Sequence, residues 1–242
     1  MSNLAGKVVW ITGASGAIGS SVAEHLAAEG AQVVVSGRNV RALPTENDHI
    51  KRLVVDITDA ESVQQGADAI LRDFGRIDGL VTCTTVPAFG DFLALTDEQW
   101  HEVLDTKLLG SIRPTRAVLR AMIQQAAGSV VMISGRGGTV PPPRHLPGAC
   151  TNAALNLLVQ GLATQYGAQG IRVNAVAPGP IVSPRLEQMS KGVANVRSAL
   201  GGPGSPQDVA HSVAFLLSAA AAHITGVILP VDGGRAGDTP SR

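Results

Sequence analysis

The 242-residue sequence predicts one α/β domain: a doubly wound parallel β-sheet of about seven strands with helices on both faces. Three observations predict it. Short, nearly continuous β-branched runs alternate with longer helical patterns from end to end, as parallel strands covered on both faces require. A glycine-rich turn follows the first run. Aromatic residues make up only 3% of the chain and hydrophobic residues 45%, so the core is built from Ala, Val, Ile and Leu, which suits close packing of helix on sheet.

The first strand is expected at 7–12 (KVVWIT), followed by a helix in which Ile18, Val22 and Leu26 repeat at helical spacing and Gly30 supplies the stop. Strands follow at 32–36 (QVVVS) and 52–56 (RLVVD), then a helix marked by Val63, Ala67, Ile70, Leu71 and Phe74, then a strand at 79–83 (GLVTC). A long helical stretch is expected at about 97–125, a strand at 129–134, and a second long helix at about 149–168. Strands at 171–176 and 227–231 bracket a shorter helix at about 207–219. Alternation of this length implies right-handed β-α-β crossovers. Residues 1–242 read as a single domain, with the polar stretch 235–242 as a disordered tail.

Composition excludes several function classes. The formal net charge is zero, which gives no electrostatic reason to expect nucleic acid or an anionic membrane as a partner. No apolar run approaches the roughly 20 residues needed to span a bilayer, and no secretory signal pattern opens the chain. Cys83 and Cys150 show no metal or redox spacing and fit a reducing compartment. The expectation is a cytoplasmic protein with no metal site.

TGASGAIG (12–19) stands where a strand passes into a helix, the place where a glycine loop holds a pyrophosphate. Gly13 permits the tight turn; Gly16 and Gly19 let the backbone approach phosphate, and the helix N-terminus faces the anion with free N–H groups. A tight turn alone would explain the glycines, but their place in the first β-α-β unit favours a Rossmann-like dinucleotide site. The second strand ends Ser36-Gly37-Arg38, with no carboxylate for ribose hydroxyls. Arg38 suits a 2′-phosphate instead, so NADP is favoured over NAD, and a solvated loop arginine is the plainer alternative.

Over nearly its whole length the chain resembles the short-chain dehydrogenase/reductase family. The matching pieces are TGASGAIG, VVVSGRN (33–39), VVDITD (54–59), GRIDGLV (75–81), IRVNAVAPGPIVSP (171–184) and ITGVILPVDGG (224–234). The resemblance implies that Ser15 and Ile18 join the phosphate loop and that Asp56 and Ile57 flank the adenine. It also implies that Pro178, Gly179, Ile181 and Ser183 line the nicotinamide side. The glycine spacing departs from the family's short branch, with Gly16-Ala17 where a later glycine is usual.

The same resemblance implies a catalytic tyrosine, lysine, serine and helical asparagine, and here the chain departs from it. Aligned by their flanks, the tyrosine falls at Gly148 and the lysine at Asn152, in GACTNAAL. The serine falls at Gly135 in ISGRGG, and the asparagine at Lys107 in WHEVLDTKLLG. The only tyrosine, Tyr166, is followed four residues later by Gly170, so a shifted alignment does not rebuild the pair. A phenol with a pKa near 10 needs a neighbouring cation to act at neutral pH.

The pocket is instead expected to collect Lys107, Arg136 and His145, with Arg144 nearby. Guanidinium and ammonium groups would suit an anionic or acyl-thioester ligand. In the plainer reading these are solvated loop side chains and a snorkelling lysine. From these absences the expected function is a non-catalytic subunit of a hetero-oligomer, paired with an active paralogue, in which the cofactor could be lost. The alternatives are an oxidoreductase with atypical proton delivery, or a lyase or isomerase using the cationic pocket. The broad apolar content of the two long helical stretches, together with the resemblance, implies a dimer or tetramer.

Overall fold

In the computed structural model the described residues are 4–183, Leu186 and 198–234, so the expected tail at 235–242 lies outside them. The strands β1 (Val8–Thr12), β2 (Gln32–Gly37), β3 (Ile50–Val54), β4 (Gly79–Thr82), β5 (Gly128–Ile133), β6 (Ile171–Pro178) and β7 (Ile228–Val231) form one sheet. Their order is β3-β2-β1-β4-β5-β6-β7, and every neighbouring pair is parallel. The chain reverses direction of winding between β1 and β4, which opens a crevice at the carboxyl ends of these strands.

Helices α1 (Ala17–Ala28) and α6 (Pro206–Leu217) cover one face, while α2 (Ala60–Phe74), α4 (Gly110–Gln124) and α5 (Leu146–Tyr166) cover the other. A short α3 (Asp97–Val103) leads toward α4. Strand alternation divides the core. Val9 and Ile11 pack with Val22, Leu26 and Val213, whereas Val8 and Trp10 pack with Val63, Ile70, Met122 and Leu155. Both faces being buried explains why the strands read as continuous apolar runs rather than alternating ones.

Two expected elements change shape. The third strand runs at 50–54 rather than 52–56, because by Asp56 the backbone has turned: its N–H donates to Ser62 Oγ and its carboxylate caps Thr58. The long helix expected at 97–125 is interrupted by a π-helical segment, Leu104–Leu109, between α3 and α4. Pro114 lies inside α4 and has no N–H to offer the preceding turn. Ser111 Oγ donates to the Lys107 carbonyl at 2.8 Å, tying the π segment to the helix that follows. Such π segments favour functional positions, and this one carries Lys107.

At the amino ends of the strands Asp78 closes a charged cluster. Its carboxylate accepts from Arg76 at 2.6 and 2.9 Å, from Lys7 at 3.3 Å and from the Val8 N–H at 2.9 Å. Burial opposes ionisation of Asp78, but the Arg76 and Val8 bonds and the Lys7 charge outweigh it and hold the carboxyl below its ordinary value.

Candidate active site

The glycine turn sits at the carboxyl end of β1. Gly13 has φ +75°, and a Cβ there would come within 2.6 Å of the Cys83 carbonyl, so only glycine fits. A Cβ on Gly19 would lie 2.5 Å from the Gly13 oxygen, which fixes how closely α1 approaches the strand. Gly16 is the N-cap of α1 and no side chain caps the helix. Ser15 and Gly16 are exposed and Ile18 is half-buried, so the turn faces outward with its backbone available.

Arg38 emerges exposed after β2 and forms no salt bridge among the described residues. Its charge reaches Asp56. The Thr58 hydroxyl, then the Thr58 N–H, then the charges of Arg38 and Arg113 hold the Asp56 carboxyl below its usual range. Ile57 is buried, and its carbonyl accepts from Arg113 at 3.1 Å. After β6, a Cβ on Gly179 would meet Asp232 at 2.7 Å, Ile181 is buried, and Ser183 Oγ accepts from the Leu186 N–H. These residues follow the carboxyl ends of β2, β3 and β6.

Deeper in the crevice Lys107 is only 7% exposed, and its Nζ donates to the Ser134 carbonyl at 3.1 Å. Next along the chain, a Cβ on Gly135 would lie 2.7 Å from Asn152 Nδ2, so the Asn152 amide fills the space that a serine side chain would take. Asn152 is 5% exposed and its Oδ1 has no hydrogen-bond partner. One turn back along α5, the space beside Gly148 is taken by the His145 imidazole, which any Cβ at 148 would strike. The ring stacks on Phe89 at 4.3 Å, and its Nδ1 is 3.1 Å from the Ala88 carbonyl. Lys107 is thus joined through Ser134 and Gly135 to Asn152, and one turn back on the same helix Gly148 meets His145.

Cys83 also borders Lys107. Burial pushes its thiol up to about 11, against the pull of the Lys107 charge and a bond from the Gly19 N–H, so it is a neutral thiol at physiological pH. Cys150 and Arg144 are exposed.

Arg136 departs from expectation. Its guanidinium pairs with Asp232 at 3.0 Å, both side chains being about 15% exposed. It lines a different cavity, of about 470 Å³, with Asn156, Leu157 and Pro230. A carboxylate 96 residues away neutralises the charge that nearby sequence left unopposed, so Arg136 is not a cation waiting in the Lys107 pocket. Three other contributors were invisible in the sequence: Phe89, which holds His145, and the hydroxyls of Thr12 and Thr82. Both hydroxyls are buried at strand ends without a partner. Their only sequence signal is a polar residue closing an apolar strand. Among the described residues there is no group of side chains suited to hold a metal ion, and no helix is long and apolar enough to cross a membrane.

Residues 13–236 match the family model described as enoyl-(acyl carrier protein) reductase. The 3-oxoacyl-(acyl-carrier-protein) reductase FabG of Escherichia coli K12 is 32% identical over 96% of this chain and 98% of its own. The aldohexose dehydrogenase of Thermoplasma acidophilum, solved without ligand, superimposes with a TM-score of 0.91 at 27% identity, covering 100% of this chain and 98% of its own. ElxO, solved with NADP bound, does so with a TM-score of 0.88 at 26% identity, over 97% and 99% of the two chains. Whole-chain likeness to named reductases overturns the expectation of a non-catalytic subunit. Physically, the space around Lys107, Gly135, Gly148 and Asn152 is not empty: a buried ammonium, an amide and an imidazole occupy it.

Proposed function

The chain belongs to the short-chain dehydrogenase/reductase family, and from that premise we propose that it is an NADP(H)-dependent reductase of a carbonyl group, with 3-oxoacyl thioesters as its substrate class. The observation that carries this reading is that Cys83, packed against Gly13 and bonded by the Gly19 N–H, also feels the charge of the buried Lys107, which joins the glycine turn to the cluster of Lys107, Ser134 and Asn152. The likeness to FabG supports the substrate class, and the NADP held by ElxO supports the cofactor.

The residues present fit the dinucleotide. Gly13 and Gly19 leave backbone room that no larger residue would leave, and the uncapped start of α1 offers N–H groups and a favourable dipole to a pyrophosphate. Arg38 is exposed where a 2′-phosphate would need a cation. The orphaned Asn152 Oδ1 requires a donor, and a ribose hydroxyl is of the right chemistry.

When bound, NADPH supplies the hydride. Lys107, fixed by the Ser134 carbonyl, brings a positive charge to a buried position, where it stabilises the oxyanion that develops on a carbonyl under reduction. Cys83 contributes no thiolate to compete with that charge pairing. Gly148 carries no phenol, so the proton comes from another group.

The test is NADPH consumption with a short 3-oxoacyl thioester. Arg38→Glu is expected to weaken NADPH binding by about tenfold or more while leaving NADH little changed, since a charged contact to phosphate is lost. An equal loss for both nucleotides would refute the role of Arg38. Failure of the wild-type protein to turn over any 3-oxoacyl thioester would sink the substrate class.

A further inference from the structure

The geometry points to His145 as the proton donor of the reaction, its imidazole standing in the volume that Gly148 leaves open on α5. This rests on the reductase reading above and goes further, by naming the group that completes it.

The first support is a mutual fit. His145 precedes α5 as its N-cap residue, and its ring lies so close over Gly148 that any side chain there would expel it. The ring is also held from the opposite side. Phe89 stacks on it with centroids 4.3 Å apart and planes 27° from parallel, and Nδ1 is 3.1 Å from the Ala88 carbonyl. The two loops are further pinned by a bond from the Gly90 N–H to the Arg144 carbonyl at 3.1 Å. A histidine on a solvated loop needs none of these restraints.

The second support is the tautomer. A carbonyl oxygen only accepts, so Nδ1 carries the proton in the contact with Ala88. Nε2 is then the ring nitrogen to which we assign the transferred proton, and it lies over the Gly148 face of the helix. Gly148 and Asn152 are one turn apart on that face. Asn152 touches Gly135, and the carbonyl of the preceding residue, Ser134, binds Lys107. The imidazole therefore belongs to the face of α5 that carries the orphaned Asn152 Oδ1, which is more than nine-tenths buried and still requires a hydrogen-bond donor. The Lys107 ammonium is tied to that face through the Ser134 carbonyl and the Asn152 amide beside Gly135.

The step balances. The carbonyl carbon gains the hydride, the carbonyl π pair moves onto oxygen, and an O–H bond forms as the Nε2–H bond of the imidazolium breaks. His145 is left neutral with its Nδ1 proton still directed at Ala88. Solvent returns the Nε2 proton, and the half-exposed position of the ring permits this. One carbonyl, one NADPH and one proton are consumed for each alcohol formed.

His145→Ala is expected to lower kcat by about a thousandfold, within the range for loss of a positioned acid or base, with NADPH affinity unchanged. Added free imidazole should restore part of the rate by entering the space left open. Gly148→Ala should also slow turnover, because it displaces the ring while His145 remains. Phe89→Leu should give a smaller loss that imidazole does not reverse. Unfolding curves of each variant separate slow catalysis from misfolding. If the wild type reduces 3-oxoacyl thioesters and His145→Ala does so within twofold, His145 is not the donor and the reductase reading stands. Were the folded wild type inactive on every such substrate, the reductase reading would fail first.

Discussion

The two edges of the sheet handle buried polar groups in opposite ways. At the amino edge Asp78 is saturated: Arg76 binds it with two nitrogens, Lys7 with one, and the Val8 N–H completes the set. At the carboxyl edge and on the adjoining α5 lie Thr12 Oγ1, Thr82 Oγ1, Asn152 Oδ1 and Asn156 Oδ1, all buried and partnerless. An unsatisfied buried group costs about 1–3 kcal/mol, so the fold tolerates at one edge what it avoids at the other. Among the described residues, the unmet hydrogen-bonding capacity lies where β1 and β4 end and on α5. That capacity suits an incoming ligand.

Substitutions can break or sharpen this contrast. Of the substitutions at these charged and amide groups, the largest effect is expected for Lys107→Ala, which should reduce kcat about a hundredfold or more by removing charge from the developing oxyanion. Its melting temperature should hold or rise, since a buried ammonium is costly to desolvate. A marked drop in melting temperature with normal kcat would assign Lys107 to the scaffold.

Asp78→Asn should do the reverse, with stability falling by about 2 kcal/mol in denaturant titration and turnover unaffected. The pH dependence has a definite sign. The folded-state pKa of Asp78 is depressed, so its contribution is present above the ordinary carboxylate value. It is lost as pH falls through the lower, folded value. Wild type and Asp78→Asn should therefore differ at neutral pH and converge in acid; a constant gap across the acid range would contradict the assignment.

The smallest effect is expected for Asn152→Leu. Replacing an orphaned amide by a shape-similar apolar group should raise stability by about 1 kcal/mol while weakening NADPH binding. If both properties fall together, Asn152 Oδ1 is satisfied in the folded protein and the contrast between the edges weakens.

The alternating pattern was sufficient to place all seven strands to within about two residues, and the glycine turn was legible because its requirement is local. Where the reading slipped, the cause was specific. The helix expected across 97–125 hid a π segment, since a one-residue change in hydrogen-bond register leaves the apolar spacing nearly intact. The neutralisation of Arg136 is not visible in its neighbouring sequence, because Asp232 joins it only through the pairing of β5 with β6 and of β6 with β7.

Sequence by itself determined the winding of the sheet, the glycine turn after the first strand and the absence of a tyrosine–lysine pair at Gly148 and Asn152, because periodicity, turn chemistry and residue identity are carried along the chain. It also invited the inference that those absences emptied the pocket. Only the tertiary structure decided otherwise. Occupied volume is a property of neighbours: the Asn152 amide fills the space beside Gly135, and the His145 imidazole fills the space beside Gly148, braced by a phenylalanine 56 residues earlier in the chain.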